Sequence, residues 1–462
     1  MNKLKRKVRM ASVGDKGGCT CRNMVFSLVG VLLLAFMPDS GMAANQADPA
    51  APSRKPTAQE LMQATAPGYV TPAGMARECL GRLVFDVHAP VQWPTRYKDA
   101  SDTGIFYRSF SENVFNQGDE MRVGNVRIGV LGPLSKEELA EFRARLPNPR
   151  IARLQELLKN DLAELKGQPV TAKTRHATSL AQDSITGRQA QIKELQSNYQ
   201  PFDSGLPESD GYRTSEGSGT VNPTRYSIYR SHLKRGEYVY VFESMQEIRD
   251  KDSEAAHGQQ FTRFLKSFRP RAANEVPKDL GLCIPHGFIA DDGKTVSAIK
   301  QSLRWPDAPG VLYTISTGNV DPREMKVPFV MAAALSGIGA YGTSGEAEAK
   351  PFISERIGPR SARIGALTAQ QGGVALKVSR PGSAPFETYA VFTAYAGWLG
   401  TAVLPYILIE LGSRSMEQAP ELTLNPPPFK TSYARLETLL KSTHLRPSEP
   451  AMPELRGLNG TR

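Results

Sequence analysis

Two short apolar stretches, far apart in the chain, decide the fold. The first reads Glu78-Cys79-Leu80-Gly81-Arg82-Leu83-Val84-Phe85-Asp86-Val87, and the second reads Gly281-Leu282-Cys283-Ile284-Pro285-His286-Gly287-Phe288-Ile289. Each is rich in strand-forming residues and carries a single cysteine. Downstream of the first, Val126, Ile128 and Val130 alternate with polar residues as in a half-buried strand. Each stretch therefore predicts the opening strand of a sheet-containing unit.

The two units also close alike. One ends in Phe264-Leu265-Lys266-Ser267-Phe268-Arg269-Pro270 and the other in Leu440-Lys441-Ser442-Thr443-His444-Leu445-Arg446-Pro447. Matching starts and ends predict a duplicated module, with chance similarity of short segments as the alternative. The expected fold class is α+β. We expect two tandem, related domains at residues 76–272 and 273–447, each a mainly antiparallel sheet with packed helices, and a polar tail at 448–462.

Charge and composition exclude several classes of protein. The chain has 462 residues and a net charge of +11, of which residues 1–43 contribute +5, leaving +6 spread along the remainder. A nucleic-acid-binding protein would show a concentrated basic patch, so no nucleic-acid partner is expected. Four cysteines exclude a disulfide-dense mini-scaffold. A mean hydropathy of −0.35 argues against a protein with several membrane spans.

The N-terminus has the organisation of a secretory signal. Seven basic residues precede or flank an apolar core at Met24–Met37, and Gly41-Met42-Ala43 supplies small residues for cleavage. As a helix this core reaches about 21 Å, short of a bilayer's hydrocarbon thickness. We expect residues 1–43 to be a signal peptide cleaved near Ala43, with an uncleaved anchor as the alternative. The mature protein would be periplasmic, without stable membrane insertion, and would begin with a flexible lead-in at residues 44–75.

Export changes the meaning of the cysteines. Cys79 and Cys283 are the only ones that remain after cleavage. In an oxidising compartment one even pair can form a single disulfide. Two buried free thiols remain the alternative, because cysteine packs well as a small apolar residue.

Local signals place several elements between these landmarks. Ser135 and Glu138 form a capping box that predicts a helix start. A second helix carries an apolar face of Ile151, Leu154, Leu157, Leu158, Leu162 and Leu165. Residues 203–223 (Asp203 to Pro223) are dense in Gly, Ser, Pro and Glu and predict a loop. Residues 225–233 and 237–243 predict a hairpin around Gly236.

Three further segments complete this pattern. Gln370-Gln371-Gly372-Gly373 predicts a hairpin turn, and Asp321 a helix start that Pro328 cuts short. No charge occurs between Glu387 and Glu410, a length that could span a bilayer. Glycines at 397 and 400 favour two buried strands joined by a turn over that alternative.

Motifs for catalysis, metal binding or cofactor binding are weak throughout. Gly-x-Ser-x-Gly is absent, and Ser297-Ala298-Ile299-Lys300 has the Ser-x-x-Lys spacing without its usual partner motifs. Gly293-Lys294-Thr295 lacks the first glycine of a phosphate-binding loop. Cys283 and His286 have ligand-like spacing, but no second Cys/His pair follows. We therefore predict no catalytic residues, no cofactor and no metal, which favours a binding protein over an enzyme.

The two cysteine-bearing stretches resemble a known exported family. They are similar, together with the Phe264–Pro270 helix end, to immunity proteins that neutralise phospholipase effectors of bacterial type VI secretion systems. The family usually continues its first strand into Asp-Leu-Pro, whereas Val87-His88-Ala89-Pro90 stands here. The subgroup, and with it the toxin class, therefore stays open.

The resemblance implies a periplasmic, non-catalytic antitoxin of two related α+β domains. Such a protein binds its cognate secreted lipase and blocks the active site or the opening of the lid. Candidate contact regions are the loop at residues 203–223, the segment Trp305–Pro309 and the walls between the two units, while individual contact residues stay unknown. The alternatives are a ligand-binding or structural envelope protein and, third, a hydrolase with a dispersed site.

Overall fold

The computed structural model describes most of the chain after the N-terminal region. The described residues are 55–93, 120–145, 149–167, 175–198, 200–218, 224–319, 350–379, 384–398, 400–416, 422–456 and 458. The signal peptide predicted for residues 1–43 and the helix start predicted at Asp321 lie outside them.

The strands of the described residues form one large and two small sheets. The small-sheet strands are β1 (Ala76–Leu80), β2 (Leu83–Val87), β9 (Phe268–Pro270), β10 (Gly281–Ile284), β11 (Gly287–Ala290) and β18 (His444–Leu445). The large-sheet strands are β3 (Glu120–Val123), β4 (Val126–Leu131), β5 (Gln200–Pro201), β6 (Ser209–Ser218), β7 (Thr224–Arg235), β8 (Tyr238–Glu247), β12 (Ser297–Leu303), β13 (Val311–Gly318), β14 (Lys350–Ile364), β15 (Leu367–Ser379), β16 (Phe386–Tyr395) and β17 (Tyr406–Ser413).

The large sheet is antiparallel, and its two halves have the same strand order when each is followed from the centre to the edge. The order is β14-β15-β16-β17-β13-β12-β3-β4-β8-β7-β6-β5. Strands β3 and β12 meet at the centre, with Val123 opposite Ser297 and Met121 opposite Ile299. On either side of this pair a hairpin is followed by four further strands, of which only β5, with two residues, is short. The predicted α+β class with mainly antiparallel sheets is confirmed.

Each small sheet joins a hairpin to a strand from elsewhere in the chain. The hairpin β1–β2 pairs with β18, where Val84 lies opposite His444. The hairpin β10–β11 pairs with β9, where Ile289 lies opposite Phe268. The two stretches predicted as opening strands are therefore tight hairpins. Gly81 and His286 allow the turns because both take a left-handed backbone, with φ of +58° and +56°.

Two helices cover one face of the large sheet. The described helices are α1 (Ala58–Ala64), α2 (Lys136–Arg145), α3 (Pro149–Gly167), α4 (Arg175–Asn198), α5 (Lys251–Ser267), α6 (Phe429–Ser442) and a 3-10 helix at Pro453–Leu455. Helix α5 buries Phe261 and Leu265, and α6 buries Leu436 and Leu439. Each fully buried apolar side chain of this size contributes about 1.5–3 kcal/mol. The Tyr389 hydroxyl anchors α6 by contacting Ser432 Oγ at 2.6 Å.

Several predicted elements are confirmed. The capping box at α2 is present, since Ser135 N–H donates to Glu138 Oε2 at 2.9 Å and Glu138 N–H donates to Ser135 Oγ at 3.1 Å. The hairpin around Gly236 is β7–β8. The uncharged segment from Glu387 to Glu410 holds most of β16 and β17. Within the described residues, no helix is both long and apolar enough to cross a bilayer.

Two local predictions are wrong. About half of the segment predicted as a loop, Asp203–Pro223, is strand β6, because its backbone pairs with β7 from Ser209 to Ser218 despite its loop-like composition. Gln370–Gly373 lies inside β15 rather than in a turn, and the β14–β15 turn is at Gly365, where φ is +53°. Gly373 lies so close to β16 that a Cβ there would come 2.7 Å from Val391 Cα. That glycine serves strand packing, not chain reversal.

Candidate functional site: the disulfide-linked junction and the candidate contact segments

Cys79 and Cys283 form a disulfide between the two hairpins. Their Cα atoms are 5.7 Å apart and both residues are 0% exposed. Beside the disulfide, Gly81 N–H donates to Cys283 O and Cys283 N–H donates to Gly81 O, each at 2.8 Å. Of the two alternatives that the sequence left open, the structure has the disulfide. It rules out a thiolate role for Cys283, and with it the Cys283/His286 ligand pair.

A buried ion pair flanks the disulfide on the side of β1. Arg271 contacts Glu78 Oε1 at 2.5 Å, and their side chains are 1% and 3% exposed. The same guanidinium donates to Cys79 O at 3.2 Å and to Ile284 O at 3.3 Å. Arg271 thus ties both cysteine-bearing strands together. Sequence reasoning missed it because a buried arginine is not distinguishable by composition from a surface one.

A second buried ion pair lies on the side of β10. Arg82 binds both carboxylate oxygens of Asp291, with side chains 5% and 6% exposed. Arg82 and Arg446 both donate to Gly281 O, at 3.4 and 2.8 Å. Burial and, to a smaller extent, the neighbouring Arg82 charge lower the pKa of the Arg446 guanidinium to about 10. Main-chain carbonyls such as Gly281 O accept hydrogen bonds from Arg82 and Arg446 and so offset the positive charge of the two guanidinium groups. The cluster of Arg82, Asp291 and Arg446 is therefore a structural element rather than an anion-binding site.

One Ser–His pair among the described residues resembles part of a hydrolase site. Ser244 Oγ lies 2.8 Å from His257 Nε2. Both residues are buried, at 1% and 0% exposure, and His257 Nδ1 has no hydrogen-bond partner in the described part of the chain. Burial lowers the pKa of the His257 ring. A nucleophile needs access to substrate and its base needs an orienting group, so this geometry fits a structural hydrogen bond between α5 and β8.

The other weak motifs are also explained by local structure. Ser297 and Lys300 are three residues apart on β12, which places them on opposite faces of the sheet. Residues 293–295 form a strand-end turn in which Asp292 Oδ1 accepts the Lys294 N–H at 2.8 Å. Across the described ranges, no three His, Cys, Asp or Glu side chains are grouped as metal ligands. These motifs therefore form no candidate catalytic or metal site.

The candidate contact segment Trp305–Pro309 faces partly inward. Trp305 is only 4% exposed; its indole N–H donates to His88 O, and its ring packs edge-on against Tyr313 at 4.6 Å. Asp307 remains at the surface, where its carboxylate accepts from both terminal nitrogens of Arg435, at 3.0 and 2.6 Å. The Arg435 hydrogen bonds lower the pKa of the Asp307 carboxyl. Trp305 therefore anchors the segment, and Pro306 and Asp307 are its accessible part.

In the second candidate contact segment, residues 203–223, only the part before strand β6 is a loop within the described residues. Asp203 Oδ1 accepts the Gly205 N–H at 2.8 Å, and Ser204 Oγ donates to Ser209 Oγ at 2.8 Å. These bonds order the turn before β6. Residues 219–223 lie outside the described residues. The accessible candidate is therefore the short turn at 203–208.

Helix α3 leaves Leu162 of its predicted apolar face exposed, and α4 exposes Leu180, which was not part of that prediction. Leu154 and Ile192 pack together at 7% and 8% exposure, whereas Leu162 is 37% and Leu180 is 57% exposed. Arg188 joins the two helices through Asp161 at 2.7 Å. The two helices pack mainly on each other, and Leu162 and Leu180 stay exposed.

Comparison with solved structures gives weak overall similarity. The apo structure of the immunity protein TplEi of the T6SS from Pseudomonas aeruginosa has 17% identity and a TM-score of 0.45, covering 81% of this chain and 98% of that chain. The crystal structure of a Tle4–Tli4 complex includes a chain with 17% identity and a TM-score of 0.45, covering 82% of this chain and 100% of that chain. At these scores the likeness supports no argument by itself. No curated protein matches the chain.

Comparison with protein families gives a specific match. The family described as Tle cognate immunity protein 4 C-terminal domain matches residues 275–448. The matched range contains every strand from β10 to β18 together with helix α6. It also contains Cys283 and Arg446 of the junction. Residues 275–448 thus match the C-terminal domain of the Tle cognate immunity protein 4 family, which confirms the resemblance drawn from the sequence for this part of the chain.

Proposed function

We propose that this protein is an immunity protein that binds a phospholipase effector of a type VI secretion system and prevents self-intoxication. The observation that carries the proposal is the family match over residues 275–448. The cysteine-bearing stretches that resemble the same family support it from the sequence. The effector would be the cognate Tle-type lipase, which the name of the matched family implies.

The protein would act in the periplasm and without catalysis of its own. A disulfide between Cys79 and Cys283 suits an oxidising compartment, and residues 1–43 have the composition of a cleavable signal. The buried Ser244–His257 pair offers no accessible nucleophile. Inhibition would therefore result from stoichiometric binding that blocks the active site or lid of the lipase. A stable complex of this kind buries on the order of 1,600 Å².

A rescue assay tests the function and the compartment together. The cognate Tle-type lipase is directed to the periplasm of a susceptible host, with the full chain, with a chain lacking residues 1–43, or with neither. We expect survival only with the full chain. Equal protection by the chain lacking residues 1–43 would contradict periplasmic action, and no protection by either chain would contradict the proposed function.

Titration of the purified proteins tests the mechanism. Phospholipid hydrolysis by the lipase should fall linearly with added immunity protein and end at one equivalent, while the immunity protein alone shows no turnover. Hydrogen exchange in the complex should show protection at residues 203–208 or around Asp307 if these candidate segments form the contact. Inhibition that exceeds one lipase per immunity protein would indicate catalytic inactivation instead of binding.

A further inference from the structure

The strand order of the large sheet divides at its centre into two matching halves. From β3 outward the order is β3, β4, β8, β7, β6 and β5; from β12 outward it is β12, β13, β17, β16, β15 and β14. Each half begins with a hairpin whose partner is a strand from much later in the chain. Each half is followed directly by a helix, α5 or α6, and a short strand, β9 or β18. Two units of the same topology account for this repetition.

The short closing strands do not return to their own units. Strand β9 follows the first unit but pairs with β11 of the second, while β18 ends the second unit but pairs with β2 of the first. The contacts just beyond the two strands are equivalent. Arg271 N–H donates to His286 O at 3.0 Å, and Arg446 N–H donates to Arg82 O at 2.7 Å. Both acceptors are carbonyls in the tight turn of the other unit's hairpin.

We propose that the chain is a strand-exchanged pair of related units, residues 76–272 and 273–447, in which the closing strand of each unit completes the opening hairpin of the other. The disulfide and the Gly81–Cys283 hydrogen bonds then join the two hairpins side by side. An isolated hairpin with strands of four or five residues is only marginally stable in water. Each unit therefore depends on the other for the third strand of its small sheet. Residues Lys55–Arg462 accordingly form one compact unit.

The strand exchange predicts that a substitution in one unit destabilises the opening hairpin of the other unit. Loosening β18 should expose the backbone of β2 in the first unit, more than 350 residues earlier in the chain. Strand β11, although it belongs to the same unit as β18, should keep its protection because its partner is β9. Two independent units would show the reverse, with damage confined to the mutated unit.

Backbone hydrogen exchange of the full chain tests this directly. We compare Leu445→Ala on β18 with Leu376→Ala on β15 as the matched control, since both are buried leucines of the second unit at 3% and 5% exposure. Strand β15 pairs with β14 and β16, away from β2. Exchange in peptides covering Leu83–Val87 should accelerate on the order of tenfold more in Leu445→Ala than in the control. Exchange in peptides covering Gly287–Ala290 should be alike in the two variants.

Two results would overturn the exchange. One is equal exchange of Leu83–Val87 in both variants, and the other is a selective loss at Gly287–Ala290 in Leu445→Ala. If Leu445→Ala does not fold, Leu445→Val with Leu376→Val as its control carries the same comparison. The outcome does not depend on the identity of the effector, because no partner is present in the experiment.

Discussion

Gly81 and Cys283, 202 positions apart, exchange both of their main-chain hydrogen bonds at 2.8 Å. The contact joins β1 to β10 directly beside the disulfide. Gly81 has a left-handed backbone in this contact, with a φ of +58°. The covalent link and the hydrogen bonds therefore lie at one point, and substitutions there should affect the association of both hairpins.

Loss of the disulfide should destabilise the protein without changing its fold. The bond joins residues 204 positions apart, and closing so long a loop restricts the unfolded chain. We expect Cys79→Ser/Cys283→Ser to lose about 2–5 kcal/mol of unfolding free energy, measured by urea denaturation. Reduced wild-type protein is the control and should unfold at the same urea concentration as the variant. An unchanged midpoint would show that the buried contacts alone hold the junction.

Gly81→Ala should lower the unfolding free energy by more than the strained backbone conformation at this position alone explains. A Cβ at Gly81 would lie 3.0 Å from Thr317 Cγ2, in a backbone with φ of +58°. Gly124→Ala is the matched control, because Gly124 has the same φ and nothing within 4 Å of the added Cβ. We expect the unfolding free energy of Gly81→Ala to fall about 1 kcal/mol further than that of the control. Equal losses would mean that Thr317 moves aside freely.

Acid should weaken the fold through buried neutral histidines. Burial lowers the pKa of His286 from 6.5 to about 4 and that of His232 to about 3. Between these pKa values and 6.5 the histidines bind protons in the unfolded chain but not in the folded chain. Their contribution to the unfolding free energy is therefore complete above pH 6.5 and declines as the pH falls towards 4. Urea midpoints at pH 7.5, 5.5 and 4.5 should decrease in that order.

A histidine variant separates this effect from the titration of carboxylates. His286→Asn keeps a residue that tolerates the left-handed φ of +56° and removes the imidazole. Its unfolding free energy should fall less steeply between pH 6.5 and 4.5 than that of the wild type. His88→Asn at an exposed position serves as the control and should follow the wild type. Identical slopes in all three proteins would argue against a contribution from His286.

Protection against the effector should survive loss of the buried serine hydroxyl. Ser244→Ala removes the partner of His257 Nε2 at 2.8 Å, which we expect to cost about 1–2 kcal/mol of stability. Because inhibition is proposed to depend on binding, the folded variant should still inhibit the lipase at one equivalent. Loss of inhibition in a variant with native circular dichroism and unchanged lipase binding would point to a catalytic role for Ser244.

Sequence patterns predicted the elements whose signals are local. The Ser135–Glu138 capping box, the Gly236 hairpin and the strands on either side of Gly397 depend on side chains and turns within a few residues of each other. The α+β class follows from summing such elements. The same reasoning failed at Gly372-Gly373, since a glycine pair that permits a turn also permits close strand packing.

The sequence by itself located many of the strands and helices and showed which family the two cysteine-bearing stretches resemble. Only the tertiary structure decided that β6 is a strand, that Trp305 faces inward, and that β9 and β18 pair across the two units. The physical reason is that local periodicity specifies which side of a strand is apolar. Its hydrogen-bond partner, in contrast, is selected by distant backbone that only the folded chain brings alongside.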